Sequence, residues 1–265
     1  MPELAFNNPA GGLRYHLRAL RYGKSLWQPF RWALGEWLLG WQPPERSLLL
    51  VGPSGGYCLQ PFVFERFERI VCLEPDPVAR LVFAQKLSRA PLERRPKLEF
   101  LSDDHLISAP EKLPRLLETL PDTALLFSNI IGQLRVLLGT GDVAAPQFQR
   151  VRAAIRESLT GRSWASFHDR VSGWSEPQFA QPLWAETRLT DAEVLEVLYG
   201  EPPSSTFDNT AELLNHQTSG IFPDDVPHSY FSWELLPSLF HVIEAVAEPR
   251  SLSATPAKVA SSALE

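Results

Sequence analysis

A chain of 265 residues, 44% apolar and 21% charged, has the balance of an ordinary globular protein with one main core. Its net charge of -6 offers no basic footprint for a phosphate backbone, which makes nucleic acid an unlikely partner. No segment approaches the roughly 18 uninterrupted apolar residues of a membrane span, and MPELAFNNPAGG at the start lacks the regions of a secretion signal, so a cytoplasmic protein with no membrane partner is expected.

Residues 12 to 41 read as helix, with Leu34, Trp37, Leu38 and Trp41 on one face and Pro43-Pro44 beyond the end. They make residues 1 to 46 an N-terminal helical extension. Arg14, Arg18, Arg21, Lys24 and Arg31 occur there without one acid between them, as a solvated helix face or a place for an anion. SLLLV (47 to 51) is a continuous apolar run, as expected of a parallel strand buried on both faces.

The turn that follows, VGPSGG, has two parses. As G-x-S-x-G, its Gly52, Ser54 and Gly56 form a nucleophile elbow presenting Ser54. As a Gly-rich loop after a strand, the same residues let a cofactor approach the backbone, because glycine lacks Cβ and tolerates positive φ. The next apolar run, IVCL (70 to 73), ends in Glu74. Asp76 and Pro77 then make an N-cap and N1 pair for a helix over 77 to 88, with Val78, Leu81 and Val82 pointing one way. The whole reads as a strand-loop-helix-strand-acid-helix unit. Cys58 and Cys72 are too few for a disulfide framework and read as core, and the histidines form no H-E-x-x-H or Cys/His cluster, so no metal is expected.

The alternation continues through KLEFL (97 to 101), running into Asp103-Asp104, and a helix near 111 to 120. ALLFS (124 to 128) leads to Asn129, a helix spans about 146 to 160, and SWASFH (163 to 168) runs into Asp169-Arg170. Strands alternating with helices argue for an α/β fold whose ligands sit at the carboxyl ends of a parallel sheet. Residues 173 to 228 break the rhythm: they are rich in Pro and Trp, include Trp174 and Trp184, and carry one capping box, Thr190 to Glu193, so they read as a lid or acceptor-site insertion. SYFSWEL (229 to 235) and FHVIEAVA (240 to 247) form a strand pair, and residues 249 to 265 have the composition of a disordered tail.

Residues 47 to 135 resemble the S-adenosylmethionine-binding half of a class I, Rossmann-like methyltransferase. LLLVGPSGGY (48 to 57) is similar to that family's glycine-rich first motif, which implies that Gly52, Pro53, Ser54 and Gly56 line the cofactor. Glu74 matches the acid that binds the ribose hydroxyls, Asp104 or Asp103 the acid at the adenine amino group, and Ser128 and Asn129 lie in the segment that lines the cofactor after the fourth strand. The resemblance implies a Rossmann-like, mostly parallel seven-stranded sheet over 47 to 248 with helices on both faces, closed by the hairpin at 229 to 247. It also implies S-adenosyl-L-methionine as cofactor and a methyl acceptor, read here as a small molecule. Two positions depart from the pattern: Leu50 stands where an acid is usual, and Ser54 replaces the middle glycine.

Methyl transfer from a sulfonium needs a base only when the acceptor must lose a proton, and His168 or Asp169 at the end of the fifth strand are the candidates. Three rivals remain. A serine hydrolase would use Ser54 with Asp169 or Asp208 and His228 or His241, although helix rather than an oxyanion loop precedes the elbow. A nicotinamide enzyme would want G-x-G-x-x-G, which this loop lacks. The third is a catalytically inactive binding or scaffold protein of the same fold, for which Leu50 is the best sign.

Overall fold

The computed structural model describes residues 12–102, 106–139, 144–201, 207 and 213–248. The five apolar runs become β1 (Ser47–Val51), β2 (Arg69–Leu73), β3 (Lys97–Leu101), β4 (Thr123–Ser128) and β5 (Trp164–Gly173). They pair in parallel in the order β3-β2-β1-β4-β5. Two short strands, β6 (Leu183–Ala185) and β7 (Leu213–Asn215), come from the Pro/Trp-rich segment, and β8 (His228–Leu236) and β9 (Leu239–Glu248) form the expected hairpin. Strand β9 lies antiparallel between β5 and β8, β6 extends the edge beyond β8, and β7 pairs with the end of β5. The sheet is thus Rossmann-like and α/β, with the seven strands anticipated and two three-residue additions.

The helical stretch anticipated over 12 to 41 forms two helices, α1 (Gly12–Tyr22) and α2 (Gln28–Gly40). Pro29, in the first turn of α2, cannot donate an N–H to a helix continuing from α1. No α-helix joins β1 to β2. A four-residue 3-10 turn, Pro61–Phe64, takes its place, because the segment's aromatic residues Phe62, Phe64 and Phe67 pack inward within a short connection. Helix α3 (Pro77–Arg89) starts as anticipated, with the Asp76 carboxylate accepting from the Val78 and Ala79 N–H groups. Its inward face differs: Ala79, Phe83 and Leu87 are buried, whereas Val78 and Leu81 face water.

The remaining helices are α4 (Lys112–Glu118), α5 (Leu134–Leu138), α6 (Ala145–Leu159) and α7 (Asp191–Tyr199), the last opened by the capping box and closed by Gly200. One face of the sheet presents Leu48, Leu50, Ile70, Cys72, Leu126 and Phe167 to Trp27, Phe30, Leu34 and Leu38 of the N-terminal helices. The other presents Leu49, Val71, Leu125 and Phe127 to α4 and α6. Leu50 is wholly buried in the first of these cores, and Cys58 and Cys72 are buried free thiols. Asp103, Asp104, Asp208 and the tail over 249 to 265 lie outside the described residues.

Candidate functional site

The loop after β1 is built on three left-handed residues, Gly52 (φ 67°), Ser54 (φ 50°) and Gly56 (φ 67°). A Cβ on Gly52 would lie 3.0 Å from the Ile130 side chain, and one on Gly56 would strike the Phe83 ring. Both glycines are therefore demanded by the chain's own packing. Lys86 donates to the carbonyls of Gly56 and Leu59, and burial together with the nearby Arg31 charge pulls its ammonium down to about 7.

Glu74 is buried just beyond β2 and ties this loop to α3. Its Oε2 accepts from the Ser54 N–H (2.8 Å) and its Oε1 from the Asp76 N–H (3.0 Å). Burial raises its pKa despite those two donors. Each carboxylate oxygen keeps a second lone pair, so the donor-poor acid fits the hydroxyls of a ribose. Above it lies α1: His16 Nε2 donates to Asp76 Oδ2 (3.2 Å), which leaves Nδ1 to accept from the Tyr57 hydroxyl (2.6 Å).

At the ends of β4 and β5 a second group assembles. Asn129, in the left-handed region (φ 54°), donates through Nδ2 to Asp169 Oδ2 (3.3 Å) and accepts at Oδ1 from the Asp169 N–H (2.9 Å). Asp169 Oδ1 accepts from His241 Nδ1 (2.8 Å). Burial alone would raise the Asp169 carboxyl, but His241, His216 and Asn129 hold it below the usual range. Because a carboxylate only accepts, His241 Nδ1 carries a proton, and Nε2 makes no hydrogen bond to any described residue. Beside it, His216 Nδ1 donates to the Gly132 carbonyl (2.7 Å), so its Nε2 accepts from the Ser172 hydroxyl (2.9 Å). Trp233 lies with its ring centroid 5.6 Å from that of His241, and its buried indole N–H has no hydrogen-bond partner among the described residues.

The structure therefore brings Asp169 and Asn129 together, and puts Glu74 and the glycine loop along the same sheet face. Strand alternation sends His168 to the opposite face, where it stacks on Phe222 and bonds Ser166, and burial depresses its pKa to about 4. Ser128 is buried at the end of β4, paired in register with Phe167. The sequence reading gave His241 no role in methyl transfer and missed His216, Ser172 and Gly132. The only local signal was Gly132 in NIIGQL: a Cβ there would come within 2.6 Å of Asp169, so only glycine lets this turn press against β5.

The hydrolase parse finds no support. Ser54 makes no hydrogen bond to a histidine, and its loop stands three strand positions from His241, about 14 Å at the usual spacing. His228 is in the buried cluster on the other face. A dinucleotide pyrophosphate would require a helix N-terminus after the loop, and only the 3-10 turn follows. A cavity of about 590 Å³ lies at the other end of β5, lined by Arg156, Arg162, Trp164 and Phe222, away from these residues. Among the described residues no helix is long and apolar enough to cross a membrane, and no three His, Cys, Asp or Glu side chains are grouped to hold a metal ion.

No family model matches the chain, and no curated protein matches it. Solved structures similar to it include S-adenosylmethionine-dependent methyltransferases. The N-methyltransferase NodS from Bradyrhizobium japonicum WM9, in complex with S-adenosyl-L-homocysteine, shares 10% identity over 94% of this chain and 96% of that one, with a TM-score of 0.39. A methyltransferase from Aquifex aeolicus shares 13% over 85% and 97%, at 0.36. The glycopeptide N-methyltransferase MtfA, complexed with S-adenosyl-L-methionine, shares 13% over 77% and 88%, at 0.35. At such identities and scores these likenesses assign neither reaction nor ligand to this chain.

Proposed function

We propose that the protein binds S-adenosyl-L-methionine and transfers its methyl group to a small-molecule acceptor that must lose a proton. One arrangement carries the reading: a buried carboxylate, Glu74, holds the glycine loop after β1 on the same sheet face as an oriented Asp169–His241 pair. Glu74 would receive the ribose hydroxyls, Gly52, Pro53, Ser54 and Gly56 would line the amino-acid end, and Ser128 and Asn129 would flank the reacting centre, with Asp103 or Asp104 toward the adenine. The bound sulfonium would supply an already activated methyl group, so the chain's task is positioning, exclusion of water and removal of one proton. His241 Nε2 takes that proton from the acceptor hydroxyl, Asp169 stabilises the imidazolium, and water later removes the proton. Trp233 and the Asn215–His216 segment, which β7 returns to the end of β5, would wall the acceptor.

Calorimetry with S-adenosylhomocysteine tests the reading. Binding should be micromolar, and Glu74→Ala should weaken it by about 10 to 150-fold, the value of a charge-assisted hydrogen bond. Absence of both heat and a thermal shift would leave the scaffold reading standing instead.

A further inference from the structure

Helix α1 has three faces. Tyr15, His16, Ala19 and Tyr22 pack inward. At about 100° per residue, Leu13, Leu17 and Leu20 fall within roughly 60° of one another, and Arg14, Arg18 and Arg21 within a second arc of roughly 60°, centred about 100° further round. The leucines are 48, 57 and 76% exposed. On the leucine side His16 ties α1 to Asp76, the N-cap of α3, whose first turns present Val78 and Leu81, 50 and 71% exposed. Five of the nine large apolar side chains exposed among the described residues therefore stand on two neighbouring helix segments. Scattered apolar residues in water are ordinary, but a cluster of this kind marks an interaction surface.

Charge identifies what it meets. The chain is acidic overall, with net charge -6, yet between Glu3 and Glu36 there is no Asp or Glu, and Arg14, Arg18, Arg21, Lys24 and Arg31 all fall in that interval. Arg14, Arg21 and Lys24 are exposed. We propose that α1, with the first turns of α3, is a docking face for an anionic lipid bilayer, the leucines entering the headgroup boundary and the cations meeting lipid phosphates. A helix with an apolar arc beside a basic arc matches a surface whose anionic layer overlies an apolar one. A second copy of the chain fits less well, because pairing this face with itself brings like charges together. His16, at the border between the leucine arc and the inward face, bonds Tyr57 and Asp76 at the rim of the glycine loop, so docking would set the candidate site beside the bilayer. The proposal is independent of the methyl-transfer reading.

The test is co-sedimentation of the full chain with large unilamellar vesicles, either pure phosphatidylcholine or with about a third phosphatidylglycerol. Partition onto the anionic vesicles should exceed that onto neutral ones by at least about tenfold and collapse near 1 M salt, where the screening length is only about 3 Å. Arg14→Gln with Arg21→Gln should lower partition about 25-fold, at about fivefold per lost cation. Leu17→Asp with Leu20→Asp should lower it by at least about tenfold, and Leu20→Ser alone, at the most exposed position, by a few-fold. All variants should keep the parent melting temperature, since the side chains replaced face water. Equal partition onto both vesicle types, or binding that the variants leave unchanged, overturns the proposal. So does a dimer in light scattering that Leu17→Asp dissolves.

Discussion

Strands β5 and β9 carry two clusters of ionisable side chains back to back, and the two are built to different ends. On one face Glu244 is buried among His228 Nδ1 (2.8 Å), Arg188 Nε (2.9 Å) and Arg170 Nε (3.4 Å), with His168 beyond. Arg170 continues to Asp191, and Asn215 joins the same network. Burial opposes the Glu244 charge, but the surrounding cations hold its pKa well below the carboxylate range. Every charge there has an opposite charge within the chain, as a buried ionic network requires, although Arg170 Nε, His228 Nδ1 and Glu244 Oε2 meet as ion pairs without a well-formed hydrogen bond. On the other face Asp169 is answered in the same way, yet the ring it orients ends in an unused nitrogen beside an unused indole N–H. A perturbed pKa alone does not separate structure from chemistry. What sets the second face apart is a ring nitrogen, His241 Nε2, that has neither a hydrogen bond nor an ion pair with any described residue.

The sharpest way to break this comparison is to remove the base on one face. His241→Gln keeps a polar side chain that Asp169 can hold but has no basic nitrogen. With S-adenosylmethionine and a panel of phenols as acceptors, kcat should fall about 10²- to 10⁴-fold, the usual worth of a positioned general base. Affinity for S-adenosylhomocysteine should stay within about twofold. A variant as active as the parent would demote the pair to structure.

The other face should answer to acid instead. The folded pKa of His168, about 4, lies below the 6.5 of free imidazole. Between about pH 6.5 and 4 the unfolded chain binds a proton that the folded chain refuses, so stability falls as pH falls through that window, by up to ~3 kcal/mol. Melting curves taken across it should flatten in His168→Gln, because glutamine does not titrate. An identical acid slope in the variant would mean that His168 is not the group responsible.

These two clusters also show what the sequence could and could not reveal. The strands were legible because runs such as SLLLV and ALLFS are apolar on both faces, and the caps of α3 and α7 because Asp76-Pro77 and Thr190 to Glu193 act locally. Helix faces and breaks were less so: Phe83 rather than Leu81 turns inward on α3, and the helical stretch over 12 to 41 breaks before Pro29. Glu74 was visible at the end of its strand. His241 was not, since 72 residues separate it from Asp169 and only the antiparallel seating of β9 beside β5 joins them. His168 and Asp169 are adjacent in sequence, and alternation along a strand sends them to opposite faces.

The smallest expected effect concerns the residue on which the two parses of VGPSGG disagree. Ser54 holds a left-handed backbone (φ 50°), a conformation that costs a residue with Cβ about 1 kcal/mol and glycine almost nothing. Ser54→Gly should therefore stabilise the fold by up to about 1 kcal/mol, raising the melting temperature by about 2–4 °C, less whatever entropy glycine adds to the unfolded chain. The loop reaches Glu74 through the Ser54 N–H, which the substitution keeps, so S-adenosylhomocysteine affinity should change by no more than about twofold. If Ser54 were instead a nucleophile, the wild type would be labelled by a fluorophosphonate probe and the variant would not. Labelling that Ser54→Gly abolishes would mean that the unbonded Ser54 hydroxyl finds a base in solution that the folded chain does not offer it here, and the assignment of both faces would have to be redrawn around it.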